Sequence, residues 1–142
     1  MRFLFIFLSV AIFYSCSEAD KPSTAGKASA TDSTNIEWID PVSQDLGSVN
    51  QGAKLEITWK FRNSGTKPLV ISEVRAGCGC TGAEGPKEPI APGKEGTITA
   101  RFDSEHYPGP QTKQVYVSAN ARTKSGTPAE TLTFNVQVKP KK

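Results

Sequence analysis

Cys78 and Cys80, set in Gly77-Cys78-Gly79-Cys80-Thr81, have the most reactive spacing in this 142-residue chain. In an extended backbone, residues i and i+2 point to one face about 6.6 Å apart, so both sulfurs start on the same side. Gly79 between them reaches backbone angles closed to other residues. A modest bend then brings the two Cα atoms into the roughly 4.4 to 6.8 Å range of disulfides. Three states are chemically open: a local disulfide, a free dithiol, or a clamp for a soft metal such as a cuprous ion. A closed zinc site wants four ligands, and beyond the two thiols the chain adds one histidine, His106, in a loop-like Asp103-Ser104-Glu105-His106-Tyr107-Pro108. Thiol exchange calls for a cation near one sulfur, and Arg75 and Lys87 are the basic residues closest in sequence. An oxidising compartment favours the closed disulfide with no metal, and so small a ring shapes the local turn more than it stabilises a domain.

The compartment is read from the first residues. Met1-Arg2 is followed by Phe3 to Tyr14, apolar except for Ser9, a segment of signal-peptide length and too short to span a bilayer comfortably. The third cysteine, Cys16, follows Ser15 where that apolar run ends. Phe13-Tyr14-Ser15-Cys16 resembles a looser bacterial lipobox, Tyr14 standing where a small residue is usual. The alternative is an ordinary secretory signal with an incidental cysteine. The lipobox implies lipidation of Cys16, with several acyl chains making attachment durable. Residues 1–15 are thus expected to be a lipoprotein signal peptide.

Residues 16–35 then form the lipidated cysteine and its tether. From Ser17 to Asn35 no large apolar residue occurs, so the segment cannot offset its ordering entropy by burial. A flexible chain of this length reaches roughly 25 Å, enough to hold a small domain clear of the headgroups. Glu18 and Asp20 loosely resemble surface-export signals of Bacteroidetes lipoproteins. The expected location is the cell envelope, as an outer-membrane lipoprotein facing the periplasm or the surface. Loss of residues 1–15 removes only Arg2 among charged residues, leaving 16 basic against 14 acidic. That balance, with basic residues interleaved among acidic and hydroxyl ones, implies no nucleic-acid partner.

The elements that must position the cysteines lie in residues 36–139, one domain's worth of chain, followed by a basic tail at 140–142. Asn35 to Asp40 reads as a short strand stopped by Pro41, and Gln44 to Val49 as a weak edge segment. Leu55, Ile57, Trp59 and Phe61 alternate with Lys54, Glu56, Thr58, Lys60 and Arg62, which is strand periodicity with one buried face. Asn63 to Pro68 turns the chain. Leu69 to Val74 is more continuously apolar, as in a strand covered on both faces, and leads into the cysteines.

Gly82 to Lys94, with Pro86, Pro89 and Pro92, reads as loop with one short pairing at Glu88 to Ala91. Pro92-Gly93 suits the centre of a type II turn. Alternation returns at Thr97 to Phe102, Gln114 to Ala119 and Leu132 to Val138. None of the ten prolines falls inside these runs. The pattern predicts an all-β, immunoglobulin-like antiparallel β-sandwich of about seven strands without the usual core disulfide.

Five motifs in order, Phe61-Arg62-Asn63-Ser64-Gly65, Pro68-Leu69-Val70-Ile71, Gly77-Cys78-Gly79-Cys80-Thr81, Pro89-Ile90-Ala91-Pro92-Gly93 and Gly96-Thr97-Ile98, resemble the bacterial family of domains of unknown function numbered 1573. The resemblance covers nearly all of Gln44 to Val138. It implies an exported protein, often a Bacteroidetes lipoprotein, with an immunoglobulin-like sandwich similar to major-sperm-protein and cilium-associated domains. It implies no reaction. No G-x-S-x-G, H-E-x-x-H or phosphate loop occurs in the chain, and His106 reads as a solvated loop residue. The expected function is a membrane-anchored binding or structural module, not an enzyme, without cofactor. Its expected partners are the membrane, through Cys16, and another envelope protein. The alternative is thiol redox or copper binding at Cys78 and Cys80.

Overall fold

The alternation over Leu55 to Phe61 becomes β3 (Lys54–Asn63), whose Ile57, Trp59 and Phe61 are buried while Lys54, Glu56, Thr58, Lys60 and Arg62 face outward. A computed structural model describes residues 33–123, 126 and 128–142. The expected signal peptide, Cys16 and the expected tether as far as residue 32 lie outside the described residues. The first strand, β1 (Thr34–Trp38), starts at Thr34, so the last two residues assigned to the tether belong to the domain. The others are β2 (Ser43–Asn50), β4 (Ile71–Ala76), β5 (Thr81–Glu84), β6 (Glu95–Asp103), β7 (Gly109–Ala119), β8 (Ala121–Arg122) and β9 (Ala129–Lys139).

Two sheets form the sandwich, one ordered β5-β6-β3-β1-β8 and the other β2-β9-β7-β4. The immunoglobulin-like β-sandwich is therefore present, with nine strands among the described residues in place of about seven. Two pairings are parallel, β1 with β8 and β2 with β9. Among the described residues no helix forms. Side chains from the two inner faces meet in one core. Trp59 and Phe61 of β3 and Phe102 of β6 face Leu132, Phe134, Val136 and Val138 of β9 and Val115 of β7. Ring centroids lie 6.4 Å apart for Trp59 and Phe134, and 5.8 Å for Phe102 and Phe134, the tilted contacts aromatic quadrupoles prefer.

Three expectations need correction. Leu69 to Val74 is not a strand covered on both faces. Leu69 is buried through an isolated bridge with Ile90, whereas β4 begins at Ile71, exposes Ser72 and Glu73, and is the edge of its sheet. Secondly, the stretch read as loop from Gly82 contains most of β5, paired with β6 from Thr81 opposite Phe102 to Glu84 opposite Thr99. Thirdly, Pro110 lies inside β7. It is tolerated because β4 pairs only with Val115 to Ala119, leaving one side of β7 open at Pro110 where no amide donor is needed. The turn at Pro92-Gly93 forms as its residues suggest: the Lys94 amide donates to the Ala91 carbonyl at 3.0 Å, and Gly93 takes a φ of 75°.

Candidate functional site

Strand β4 lies in one sheet and β5 in the other, so the four residues from Gly77 to Cys80 carry the chain across the edge of the sandwich. Three backbone hydrogen bonds fix this corner. The Gly77 amide donates to the Gln114 carbonyl at 2.8 Å, the Thr81 amide to Cys78 at 3.3 Å, and the Asp103 amide to Cys80 at 3.4 Å. A Cβ at position 77 would lie 3.2 Å from the Gln114 oxygen, so glycine lets the corner close against β7. The bend brings the Cys78 and Cys80 Cα atoms to 5.3 Å, and the two sulfurs are joined as a disulfide.

Both cysteines are half-buried and Gly79 is exposed at the tip. Cys80 packs against the core. Beneath the pair, the buried hydroxyl of Thr81 lies 3.5 Å from the Cys78 sulfur and 3.7 Å from that of Cys80. Cys80 also lines a hollow of about 360 Å³ on the outside of the first sheet. Gly79 and Gly82 leave it open, Leu55 supplies apolar surface, and the charged residues Lys54, Glu56, Arg101 and Asp103 line it.

The basic residues nearest the cysteines in sequence are not the ones that share this hollow. Arg75 stacks on Tyr116, with its guanidinium carbon 4.8 Å from the ring centroid, and sits 3.8 Å from Glu73. Lys87 borders a different groove, along β4. Lys54 and Arg101 were not singled out from sequence, because only the β3–β6 register, with Lys54 opposite Asp103 and Glu56 opposite Arg101, carries them there. Arg101 is held by Glu84 at 2.8 Å and Glu56 at 3.0 Å. The hydrogen bond that it donates to Glu84, then that to Glu56, raises its pKa above the ordinary arginine value, so it is a fixed cation. Lys54 has no ion pair among the described residues.

His106 is exposed in the loop between β6 and β7. Among the described residues, no three side chains of His, Cys, Asp or Glu gather where they could hold a metal ion. A second concavity, about 400 Å³, follows the free edge of β4 and is lined by Ile71, Val74, Gly85, Pro86 and Lys87 among others. Ile71 and Val74 are half-buried there.

The model of a family described as "Protein of unknown function (DUF1573)" matches residues 37–138. No curated protein matches the chain. Among solved structures, a protein of unknown function from Porphyromonas gingivalis W83 superimposes with a TM-score of 0.62 at 16% identity, over 78% of this chain and 50% of that one. The ASH / PapD-like domain of human CEP192 gives 0.59 at 12% identity, over 90% and 98% of the two chains. The secreted serine protease VesC from Vibrio cholerae gives 0.53 at 12% identity, over 74% of this chain and 23% of the protease. The chain thus spans about half the length of the Porphyromonas protein, and the likeness in all three is one of fold.

Proposed function

The chain belongs to the DUF1573 family, and from that premise we propose that it is an envelope lipoprotein, tethered through Cys16, whose sandwich binds another envelope protein along the β4 edge. The observation that carries this reading is the open edge itself. Among the described residues β4 pairs with β7 on one side only, and on the other side its backbone groups border the groove that holds Ile71, Val74 and Pro86. An extended segment of a partner can complete the unpaired ladder and place alternate apolar side chains against Ile71 and Val74. The opposite edge of the same sheet, β2, is less suited. A register shift between Asp45 and Ser48, with Gly47 at a φ of 67°, bends that edge away from a regular ladder.

The tether supports the same role. A lipidated Cys16 keeps the domain within a short reach of the membrane, which raises its effective concentration toward partners held there. The test uses the full chain in intact cells, with a photo-crosslinking side chain at Glu73 on β4 or, as control, at Lys60 on the outer face of the other sheet. A discrete adduct from position 73 alone, mapped to an extended partner segment, supports the reading. Equal adducts from both positions, or none, overturns it. The lipid part is tested separately: Cys16→Ala should leave the domain in the soluble fraction or stall its processing, and unchanged membrane partition would remove the anchor.

A further inference from the structure

We propose that Cys78–Cys80 is a thiol–disulfide exchange site, taking electrons from a cysteine pair that another protein presents in the hollow beside Cys80. This activity goes beyond docking at β4 and does not depend on it. Four observations carry it. The disulfide is half-buried at an accessible corner, not sealed in the core. Cys80 lines the hollow and Cys78 does not, so an incoming sulfur meets Cys80. The hydroxyl of Thr81, a residue 5% exposed, has the two sulfurs as its only partners among the described residues. Of the charged residues lining the hollow, Arg101 is paired with Glu56, whereas Lys54, opposite Asp103 but without an ion pair among the described residues, offers positive charge to an entering anionic sulfur.

Each feature has a task in the exchange. A thiolate of the partner attacks the Cys80 sulfur, a mixed disulfide forms, and the bond to Cys78 breaks with its electron pair leaving on Cys78. The nearby Thr81 hydroxyl donates to that thiolate, which takes up a proton. The partner's second thiolate then attacks its own sulfur in the mixed disulfide and releases Cys80, which is protonated in turn. The partner's two thiols have become a disulfide, and this disulfide has become two thiols. The backbone bonds at Gly77, Thr81 and Asp103 lie outside the sulfur ring, so the corner keeps both thiols close for the reverse reaction. The apolar surface of Leu55 beside Cys80 favours a protein segment over a small hydrophilic thiol.

The experiment follows reduction of the oxidised native domain by alkylation and intact mass. The reductants are dithiothreitol, glutathione and a synthetic peptide bearing two cysteines beside apolar residues. We expect all three to reduce it without denaturant, the peptide fastest at equal thiol concentration. Acid-quenched glutathione adducts should map to Cys80. Thr81→Val should slow reduction about tenfold at an unchanged melting temperature. Lys54→Gln, at an exposed position that leaves the fold intact, should slow glutathione, whose thiolate comes with further carboxylate charge, about threefold at low salt, and should slow dithiothreitol, which attacks as a singly charged thiolate, by less. Reduction only after denaturation makes the bond a staple and overturns the proposal. Adducts on Cys78, or wild-type rates in both variants, overturns it equally. Glutathione matching the peptide overturns the assignment to a protein dithiol.

Discussion

Thr34 at the start of β1 and Asn63 at the end of β3 share a buried hydrogen bond, the Thr34 hydroxyl donating to Asn63 Oδ1 at 3.0 Å. Asn63 is fully buried and uses its whole amide. Oδ1 also accepts from the Gly65 amide at 3.1 Å, and Nδ2 donates to the carbonyls of Lys67 at 2.7 Å and Ile90 at 2.9 Å. One side chain thus ties the first strand, the turn after β3 and the bridge that buries Leu69.

Removing that amide leaves several buried groups without partners. Asn63→Ala is expected to cost about 3 kcal/mol or more, and Thr34→Val about 1 kcal/mol because Gly65 still serves Oδ1. Urea midpoints of both variants and the double mutant measure it. The double should fall short of additivity, since the two residues share one bond.

Trp59 and Phe61 point into the core while Lys60 between them is exposed. Trp59→Ala should cost about 3 to 5 kcal/mol, much of the stability of such a domain, and Lys60→Ala little. The Trp59 indole N–H is buried without an acceptor among the described residues, so Trp59→Phe should be the milder truncation. Equal shifts of the denaturation midpoint for Trp59→Ala and Lys60→Ala would contradict the register.

Gly96 lies opposite Phe61, and a Cβ there would stand 2.6 Å from both Phe61 Cζ and Ile90 Cδ1. Phe61 is fully buried and cannot yield. Gly96→Ala should therefore destabilise by about 1 to 3 kcal/mol through overpacking. A melting temperature at the wild-type value would show that the site relaxes freely.

Replacing both Cys78 and Cys80 with serine should leave the sandwich folded. Loop-closure entropy for so short a ring amounts to about 1 to 2 kcal/mol, and the corner retains its backbone bonds. Thermal unfolding in non-reducing buffer compares the variant with the parent, and failure to fold would make the bond a structural requirement.

Strand periodicity made the buried faces of β3, β6 and β9 legible, since alternation there reports directly which side chains enter the core. β5 was not legible. Thr81-Gly82-Ala83-Glu84 has little strand propensity, and it pairs because β6 offers a free edge and because Thr81 and Ala83 face inward. The apolar run Leu69-Val70-Ile71 was misleading for a similar reason: Leu69 owes its burial to a distant bridge with Ile90 rather than to a central strand. At the candidate site the cysteine pair was evident from spacing, whereas the hollow, Thr81 and Lys54 were not. They depend on which strands lie side by side, and short windows do not contain that. Asn63 read as a turn residue, and its burial depends on β1 arriving from 29 residues away.

The lock at Thr34 has a mechanical meaning. Tension applied to the N-terminal end of β1 loads Thr34, whose amide is bonded to the Asn120 carbonyl at 2.9 Å and whose hydroxyl is bonded to Asn63. β1 is flanked by β3 and β8, so a pull on the chain loads hydrogen bonds on both of its sides together instead of peeling one edge. Under the proposed tethering, such force would load the Thr34–Asn63 pair, far from the Cys78–Cys80 corner in the chain, and leave the corner free to engage a partner.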